Sequence, residues 1–268
     1  MVNVLRAFIF QPGKSLRMLR LLPLALDGSR FADGWSSSPN FASDKEPAFK
    51  RNAGRLQSYF DSHRDGRGIV KWMHYFDVYE RHLEKFVGRK VHIAEVGVFS
   101  GGSMQMWHSY FGADCVVYGI DIREECKAYE DERTKIFIGD QGDRTFWKNF
   151  RSNVPPIDIF IDDGSHLTED QIITFEEILP HMRPGGVYIC EDVHGSQNRF
   201  SGYMQGLSAQ LNAMVKDGPE LSPVIATEFQ RAIQSVHLYP FLTIIEKSIE
   251  RRDRFEAVRR GTEWQPFV

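Results

Sequence analysis

The chain has 268 residues, of which 42% are hydrophobic, 13% aromatic and 26% charged. This length accommodates one sizeable α/β domain with an extension, and the composition excludes wholesale disorder. Because the formal net charge is −3, the chain has no overall attraction for polyanions, and we expect no nucleic-acid partner. Cys115, Cys126 and Cys190 form no CxxC pair, so we expect reduced thiols and a cytoplasmic protein.

The first 68 residues are predicted to form an N-terminal arm and a lid or linker. Residues 1–26 carry basic residues among apolar ones, but Pro12, Gly13 and Pro23 interrupt them, so we expect no stable membrane insertion. An arm that packs on the core or on another subunit is one interpretation, and a weak association with a membrane surface is the other. Residues 27–68 are rich in Gly, Ser, Asn and Asp, which favours mobile loops.

A helix is predicted over residues 69–87, where aromatic and aliphatic side chains recur every three or four positions. From residue 91 onward, apolar strands alternate with helices, which indicates a parallel, doubly wound sheet. The five strands are expected in VHIAEVGV, CVVYGIDI, KIFIGD, IDIFID and GVYICED. The helices between them are expected through MQMWHSYF and over residues 143–153 and 168–181, with a turn at Pro184-Gly-Gly before the fifth strand.

A hairpin is predicted within residues 232–248, where two apolar stretches are broken only at Tyr239-Pro240-Phe241. A parallel pair would need a long crossover, so these strands should be antiparallel. Five parallel strands closed by a late hairpin are typical of methyltransferases, whereas dinucleotide dehydrogenases continue with a further strand, helix and strand. We therefore expect a catalytic domain over residues 69–250 and a basic tail over 251–268.

A glycine-rich loop, Glu95-Val-Gly97-Val-Phe-Ser-Gly101-Gly102-Ser103, follows the first strand and opens a helix. Glycine lets a backbone turn tightly and approach a ligand closely. Phe99 stands where a dinucleotide fingerprint has its second glycine, which disfavours NAD. Glu95 instead begins the pattern E/D-x-G-x-x-x-G of class I methyltransferases, in which this acid helps to hold the methionine amino group of the cofactor. A loop that binds no ligand is the alternative.

Two more acids end neighbouring strands. Asp121 follows the second strand, where its carboxylate can accept hydrogen bonds from both hydroxyls of a ribose. Asp140 follows Gly139 at the end of the third strand, where it can meet an adenine amino group. For each acid the alternative is ordinary turn chemistry in contact with solvent.

The ends of the fourth and fifth strands carry the sequences Asp162-Asp163-Gly-Ser-His166 and Glu191-Asp192-Val-His194. In an open α/β sheet ligands bind at the carboxyl ends of the strands, so these acids should converge beside the cofactor. Their mutual repulsion predicts a hard divalent cation such as Mg²⁺, with positions left for a substrate diol. His166 lies within reach as a general base, and His194 is a weaker candidate as a metal ligand. Helix caps, solvated strand ends and a structural histidine are the alternatives.

Taken together, IAEVGVFSGGSMQMW, GIDI, GDQGD, IDIFIDDGSH and RPGGVYICED resemble the macrocin and mycinamicin O-methyltransferases, a group that includes cephalosporin-hydroxylase-like proteins. The resemblance covers residues 69–195, and the pairing of DDGSH with a later GG-x-Y-x-x-ED is its most specific part. It implies a class I methyltransferase fold with a Rossmann-like sheet, with S-adenosyl-L-methionine (SAM) and Mg²⁺ or another divalent cation as cofactors. It also implies methylation of a hydroxyl on a sugar or glycosylated small molecule, as in antibiotic biosynthesis.

By position, the resemblance also implies roles for single residues. The metal ligands fall on Asp163, Glu191 and Asp192, and the general base falls on His166. The predicted cofactor contacts are Glu95, Gly97, Ser103, Asp121, Asp140, Asp162 and, from the helix before the glycine loop, Tyr75. Lys71, His74 and Tyr79 are further candidates to cover the cofactor, although core packing explains the aromatic residues equally well.

Two other functions remain open from the sequence. One is a cephalosporin-hydroxylase-like protein with the same sites, and the other is a non-catalytic SAM-binding protein. The aromatic and partly basic arms lead us to expect a homo-oligomer.

Overall fold

The computed structural model describes residues 12–34, 53–194, 198–214 and 223–262, so parts of the predicted arm, linker and basic tail lie outside the described residues. By its internal contacts the chain divides into two units between residues 52 and 53. The first unit contains one described helix, α1 (Pro12–Asp33), which includes Pro23. Pro23 removes one backbone hydrogen bond from this helix, which continues past it. In the described part of the chain, no helix is both long and apolar enough to cross a membrane.

The second unit is built on a seven-stranded sheet. Its strands are β1 Val91–Val96, β2 Cys115–Asp121, β3 Thr134–Ile138, β4 Ile157–Asp162, β5 Met182–Cys190, β7 Ile233–Tyr239 and β8 Leu242–Lys247. Their order in the sheet is β3-β2-β1-β4-β5-β8-β7. The strands β1 to β5 are parallel, whereas β8 is antiparallel to both β5 and β7. A separate short pair joins β6 Val224–Ile225 to β9 Arg254–Phe255. The predicted parallel sheet and the closing hairpin are both confirmed.

Helices cover both faces of this sheet. They are α2 Arg55–Ser62, α3 Tyr75–Leu83, α4 Gly102–Phe111, α5 Arg144–Asn153, α6 Thr168–Ile178, α7 Phe200–Leu211 and α8 Glu228–Ala232. Short 3-10 turns add Glu84–Phe86, Glu124–Tyr129 and Leu179–His181. The start of α5 follows from local chemistry, because the side chain of Asp143 accepts a hydrogen bond from the backbone N–H of Thr145.

The central strands β1, β2 and β4 are buried on both faces, which is why they read as nearly continuous apolar runs. In β1, Val91 and Ile93 pack with α2, α3 and α4, whereas Ala94 and Val96 pack on the opposite side with α5, α6 and α7. Polar side chains are therefore concentrated where the strands end.

Three sequence-based boundaries differ from the structure. The predicted helix at 69–87 begins only at Tyr75, and the residues before it form a loop that enters the site described below. Part of the predicted linker is helix α2, whose Leu56 is buried in the core. The turn expected at Pro184-Gly-Gly lies within β5, where the pairing with β4 shifts register between Ile157 and Ile159.

Candidate functional site

A cavity of about 430 Å³ opens at the carboxyl ends of the parallel strands. Its volume lies within the roughly 300–1,000 Å³ that is usual for small-ligand pockets. It is lined by residues 96–99, 103, 121–123, 139–141, 163–166 and 192, together with the loop 68–71. Gly97, Ser103, Asp121 and Asp140 therefore line one cavity, as the sequence predicts for cofactor contacts. The chain reverses strand order between β1 and β4, which is where open α/β sheets bind ligands.

A neighbouring backbone segment requires a glycine at position 97, independently of any ligand. Its φ is +95°, and a Cβ at this position would lie 2.0 Å from the carbonyl oxygen of Asp163. The backbone N–H of Asp163 donates to the carbonyl oxygen of Val96 at 3.0 Å. The loops after β1 and β4 thus approach each other closely, and this approach brings Asp163 to the cavity.

The carboxylate of Asp121 is held by backbone donors. Its Oδ2 accepts from the N–H of Phe99 at 3.0 Å, and its Oδ1 accepts from the N–H of Arg123 at 2.9 Å. Each oxygen retains acceptor capacity for a ligand hydroxyl. Asp140 is held in a similar way, since its Oδ1 accepts from the N–H of Gly142 at 2.7 Å.

The ammonium of Lys71 lies among three carboxylates. Its Nζ is 2.6 Å from Asp163 Oδ2, 2.8 Å from Glu191 Oε2 and 3.6 Å from Glu95 Oε1, and its side chain is 2% exposed. Burial by itself lowers the pKa of Lys71, but the charges of Glu191, Asp163 and Glu95 outweigh it and raise the pKa well above its ordinary value. Lys71 is therefore a buried cation, a role that its sequence pattern does not indicate.

Glu191 and Glu95 are buried acids with specific donors. Tyr79 donates its hydroxyl to Glu191 Oε1 at 2.6 Å, and Trp107 donates its indole N–H to Glu95 Oε2 at 2.7 Å. Burial, reinforced by the charge of Asp163, raises the pKa of Glu191, and the ammonium of Lys71 opposes this rise. Burial also raises the pKa of Glu95, whose Oε1 accepts no hydrogen bond from the described residues. Glu95 lies behind Lys71 rather than on the cavity wall.

Asp192 is positioned by two aromatic donors from the segment at the start of α3. Its Oδ1 lies 2.8 Å from the indole nitrogen of Trp72 and 3.0 Å from the hydroxyl of Tyr75, and its φ is +54°. Tyr75 is itself buried, and its hydroxyl also contacts the carbonyl oxygen of Phe241 at 2.9 Å. Tyr75 therefore contacts a predicted metal ligand, and its contact with the cofactor stays a prediction.

His166 lies where a general base is predicted. Its Nε2 is 3.7 Å from Asp192 Oδ2 and 3.9 Å from Asp163 Oδ1, and its side chain is partly exposed. The residue has a φ of +57°, and its carbonyl oxygen accepts from the side-chain amide of Asn198 at 3.2 Å. A left-handed backbone is uncommon for a residue other than glycine.

Asp162 does not lie with the other predicted cofactor residues. It is fully buried, and its two oxygens accept from Gln141 Nε2 and from the Tyr188 hydroxyl, each at 3.1 Å. Burial raises the pKa of Asp162 to about 7. These contacts tie the ends of β4 and β5 to the loop after β3. The contact of Asp162 with the cofactor stays a prediction.

His194 packs among aromatic rings, with its centroid 5.3 Å from Phe241 and 6.5 Å from Trp72. This placement favours a structural role for His194 over metal binding. His74, a further candidate for the cofactor, contacts the carbonyl oxygen of Pro240 at 2.9 Å instead.

The donor set fits a divalent cation. One ligand atom each from Asp163, His166 and Asp192 lies within 4.8 Å of the others. Carboxylate oxygens are the ligands that Mg²⁺ prefers, and a cationic group of the chain already lies between Asp163 and Glu191. These residues could hold a metal beside the cavity.

The sheet order and the cavity at its carboxyl ends define the class I SAM-methyltransferase fold. Residues 94–193 match the family model described as a methyltransferase domain. The solved structure of the MycE methyltransferase of the mycinamycin pathway, in complex with Mg and SAH, matches with a TM-score of 0.59 at 26% identity, covering 74% of this chain and 55% of MycE. The predicted fold class is confirmed.

Curated relatives agree with the structural match. The chain is 32% identical to 8-demethyl-8-alpha-L-rhamnosyl tetracenomycin-C 2'-O-methyltransferase of Streptomyces olivaceus, over 67% of this chain and 52% of the relative. It is 35% identical to demethylmacrocin O-methyltransferase of Streptomyces fradiae, over 46% of this chain and 33% of the relative. It is 30% identical to mycinamicin VI 2''-O-methyltransferase of Micromonospora griseorubida, over 66% of this chain and 49% of the relative. The chain is therefore a homologue of these O-methyltransferases, which confirms the resemblance, and it spans about half of their length or less.

Proposed function

We propose that this chain is a SAM- and Mg²⁺-dependent O-methyltransferase that acts on a hydroxyl of a sugar or glycosylated small molecule. The observation that carries the proposal is the convergence of Asp163, His166 and Asp192 at the cavity lined by Gly97 and Asp121. The relatives support it, since MycE was solved with Mg, SAH and mycinamycin VI, and the tetracenomycin relative is named for a rhamnosyl compound.

In this proposal the cavity binds the cofactor. Asp121 accepts hydrogen bonds from the ribose hydroxyls, Asp140 lies at the adenine end, and the glycine loop with Ser103 approaches the remainder. The sulfonium of SAM already activates the methyl group, so positioning supplies most of the protein's contribution to the rate.

Asp163, Glu191 and Asp192 would hold the metal, which when bound lowers the pKa of a coordinated hydroxyl. His166 takes the proton from the acceptor hydroxyl at its Nε2, which faces both aspartates. The acceptor oxygen can then form a bond to the methyl carbon of SAM as the bond from that carbon to sulfur breaks, and S-adenosylhomocysteine leaves. The aromatic donors Trp72 and Tyr75 keep Asp192 in place during this step.

The location and assembly of the protein remain predictions. The three cysteines are free and buried, which agrees with a reducing compartment and with the predicted cytoplasmic location. The homo-oligomer is expected from the sequence of the arms alone.

The test is a mass-spectrometric screen of glycosylated acceptors incubated with the protein and SAM, with and without EDTA, and with Mg²⁺ restored. We expect a product heavier by one CH₂ that EDTA abolishes and Mg²⁺ recovers. SAM binding with neither transfer nor metal dependence would favour a non-catalytic SAM-binding protein. Failure across diverse acceptors with intact metal binding would favour the cephalosporin-hydroxylase-like alternative.

A further inference from the structure

The ammonium of Lys71 lies between residues that are predicted to bind a metal ion. Its Nζ is within hydrogen-bonding distance of Asp163 Oδ2 and Glu191 Oε2, at 2.6 and 2.8 Å. Its side chain is 2% exposed, whereas that of Lys85, farther along the chain, is 39% exposed. A buried ammonium is stable only when it is paired, and these carboxylates provide the pairing.

The buried carboxylates also require a positive charge close by. Glu95 and Glu191 are fully buried, and Asp163 lies close to both. Without a cation, their mutual repulsion would oppose the geometry in which Asp163 and Glu191 face each other. Lys71 supplies that charge from within the chain.

The placement of Lys71 on a loop allows it to move. Lys71 precedes α3, and residues 68–71 line the cavity of about 430 Å³. The side chain therefore has adjacent space into which its ammonium can withdraw without unfolding a helix.

We propose that Lys71 is a built-in substitute for the divalent cation, which holds Asp163 and Glu191 in the metal-free enzyme and leaves them when the metal binds. This inference rests on the proposed function, in which both acids are metal ligands. Two cations held by the same pair of carboxylates repel each other, so occupancy by Lys71 and occupancy by the metal are alternatives. The apparent affinity for metal is then reduced by the fraction of molecules in which Lys71 occupies the site.

The test is a titration of the full chain with Mn²⁺, in which free Mn²⁺ is followed by electron paramagnetic resonance. Removing the charge with Lys71→Met should tighten Mn²⁺ binding by about tenfold or more, because the competing cation is gone. Lys71→Arg keeps the charge and should bind Mn²⁺ no tighter than the wild type. Lys85→Met, which removes a lysine that pairs with Glu246 instead, should leave the affinity unchanged.

Thermal unfolding adds a readout that is independent of activity. In EDTA, Lys71→Met should have a lower Tm than the wild type, and Mg²⁺ should raise its Tm by more than it raises that of the wild type. Lys71→Gln provides the same two comparisons should Lys71→Met fail to fold.

Weaker or unchanged Mn²⁺ binding by the uncharged variants would overturn the inference, because it would make Lys71 a purely structural residue. Asp163→Asn separates this failure from failure of the proposed function. If Asp163→Asn binds Mn²⁺ as the wild type does, the proposed metal site is itself wrong. If it loses Mn²⁺ while Lys71→Met binds no tighter, only the inference about Lys71 is wrong.

Discussion

At the residue scale, His166 is the side chain on which proton transfer should depend. Its Nε2 faces Asp163 and Asp192. His166→Ala should lower the methyl-transfer rate by about 10²–10⁴-fold, the usual contribution of a general base, and leave the affinity for S-adenosylhomocysteine unchanged. Single-turnover kinetics and isothermal titration calorimetry measure the two quantities. His194→Ala is the matched control, and an unaltered rate in His166→Ala would contradict the assignment.

The buried placement of Asp162 leads to a second prediction at this scale. Tyr188→Phe removes the hydroxyl that donates to the fully buried carboxyl of Asp162. The free energy of unfolding, measured by urea denaturation, should therefore fall by about 1–3 kcal/mol. The affinity for S-adenosylhomocysteine should not change. Tyr203→Phe, which removes a hydroxyl that donates to the exposed Glu176, should have little effect on stability. A loss of cofactor affinity without a loss of stability would instead favour the predicted contact of Asp162 with the cofactor.

At the scale of elements, α3 is the helix that connects the site to the closing hairpin. Its Tyr75 and Tyr79 contact Asp192 and Glu191 from one side of the helix. Its His82 Nδ1 lies 3.2 Å from Glu246 Oε1 on β8. The position of the acids therefore depends on how α3 packs against β7 and β8.

The packing of α3 on the hairpin should depend on pH through Glu246. The hydrogen bond with His82, followed by the charge of Lys85, lowers the pKa of Glu246 to about 2 from its usual 4.5. A lowered carboxyl pKa stabilises the fold above the unfolded value and loses that effect as the pH falls toward 2. With an allowance for solvent screening, we expect the lowered pKa of Glu246 to add about 1–2 kcal/mol to the free energy of unfolding at neutral pH.

Glu246→Gln should accordingly destabilise the protein at pH 7, and the difference from the wild type should shrink as the pH falls below 4.5. Urea denaturation across this pH range measures the difference directly. Glu169→Gln, which removes one side of a solvent-exposed pair with Arg199, should change stability much less at every pH. A difference that stays constant with pH would show that Glu246 acts through packing and not through its charge.

At the scale of the whole molecule, the described core begins after the first unit. Among the described residues, Leu56 is the first buried apolar side chain in chain order. A chain that begins at residue 53 should therefore retain cooperative unfolding with a Tm close to that of the full chain.

Within that shortened chain, Leu56→Ala should lower the free energy of unfolding by about 2–5 kcal/mol, because the substitution leaves a cavity in the core. Circular dichroism melts measure both effects, and a non-cooperative melt would show that residues 1–52 contribute to the core.

The sequence alone determined the sheet, its closing hairpin and the edge at which the site lies. Alternating apolar runs specify strands and helices locally, and parallel strands bring their carboxyl ends to one edge. For this reason the placement of Asp121, Asp140, Asp163 and His166 around one region followed from their positions just after apolar strands.

Only the tertiary structure decided the partners of Lys71, Tyr75 and Asp162. Lys71 meets Asp163 across 92 positions and Tyr75 meets Asp192 across 117, whereas the aromatic periodicity of residues 69–87 indicated only a helix face. Asp162 and Asp163 are adjacent in sequence, yet one is buried against Tyr188 and the other faces the cavity. Periodicity assigns a side chain to a face of its own element, but its partner depends on which distant elements pack there, and that is decided by the folded chain as a whole.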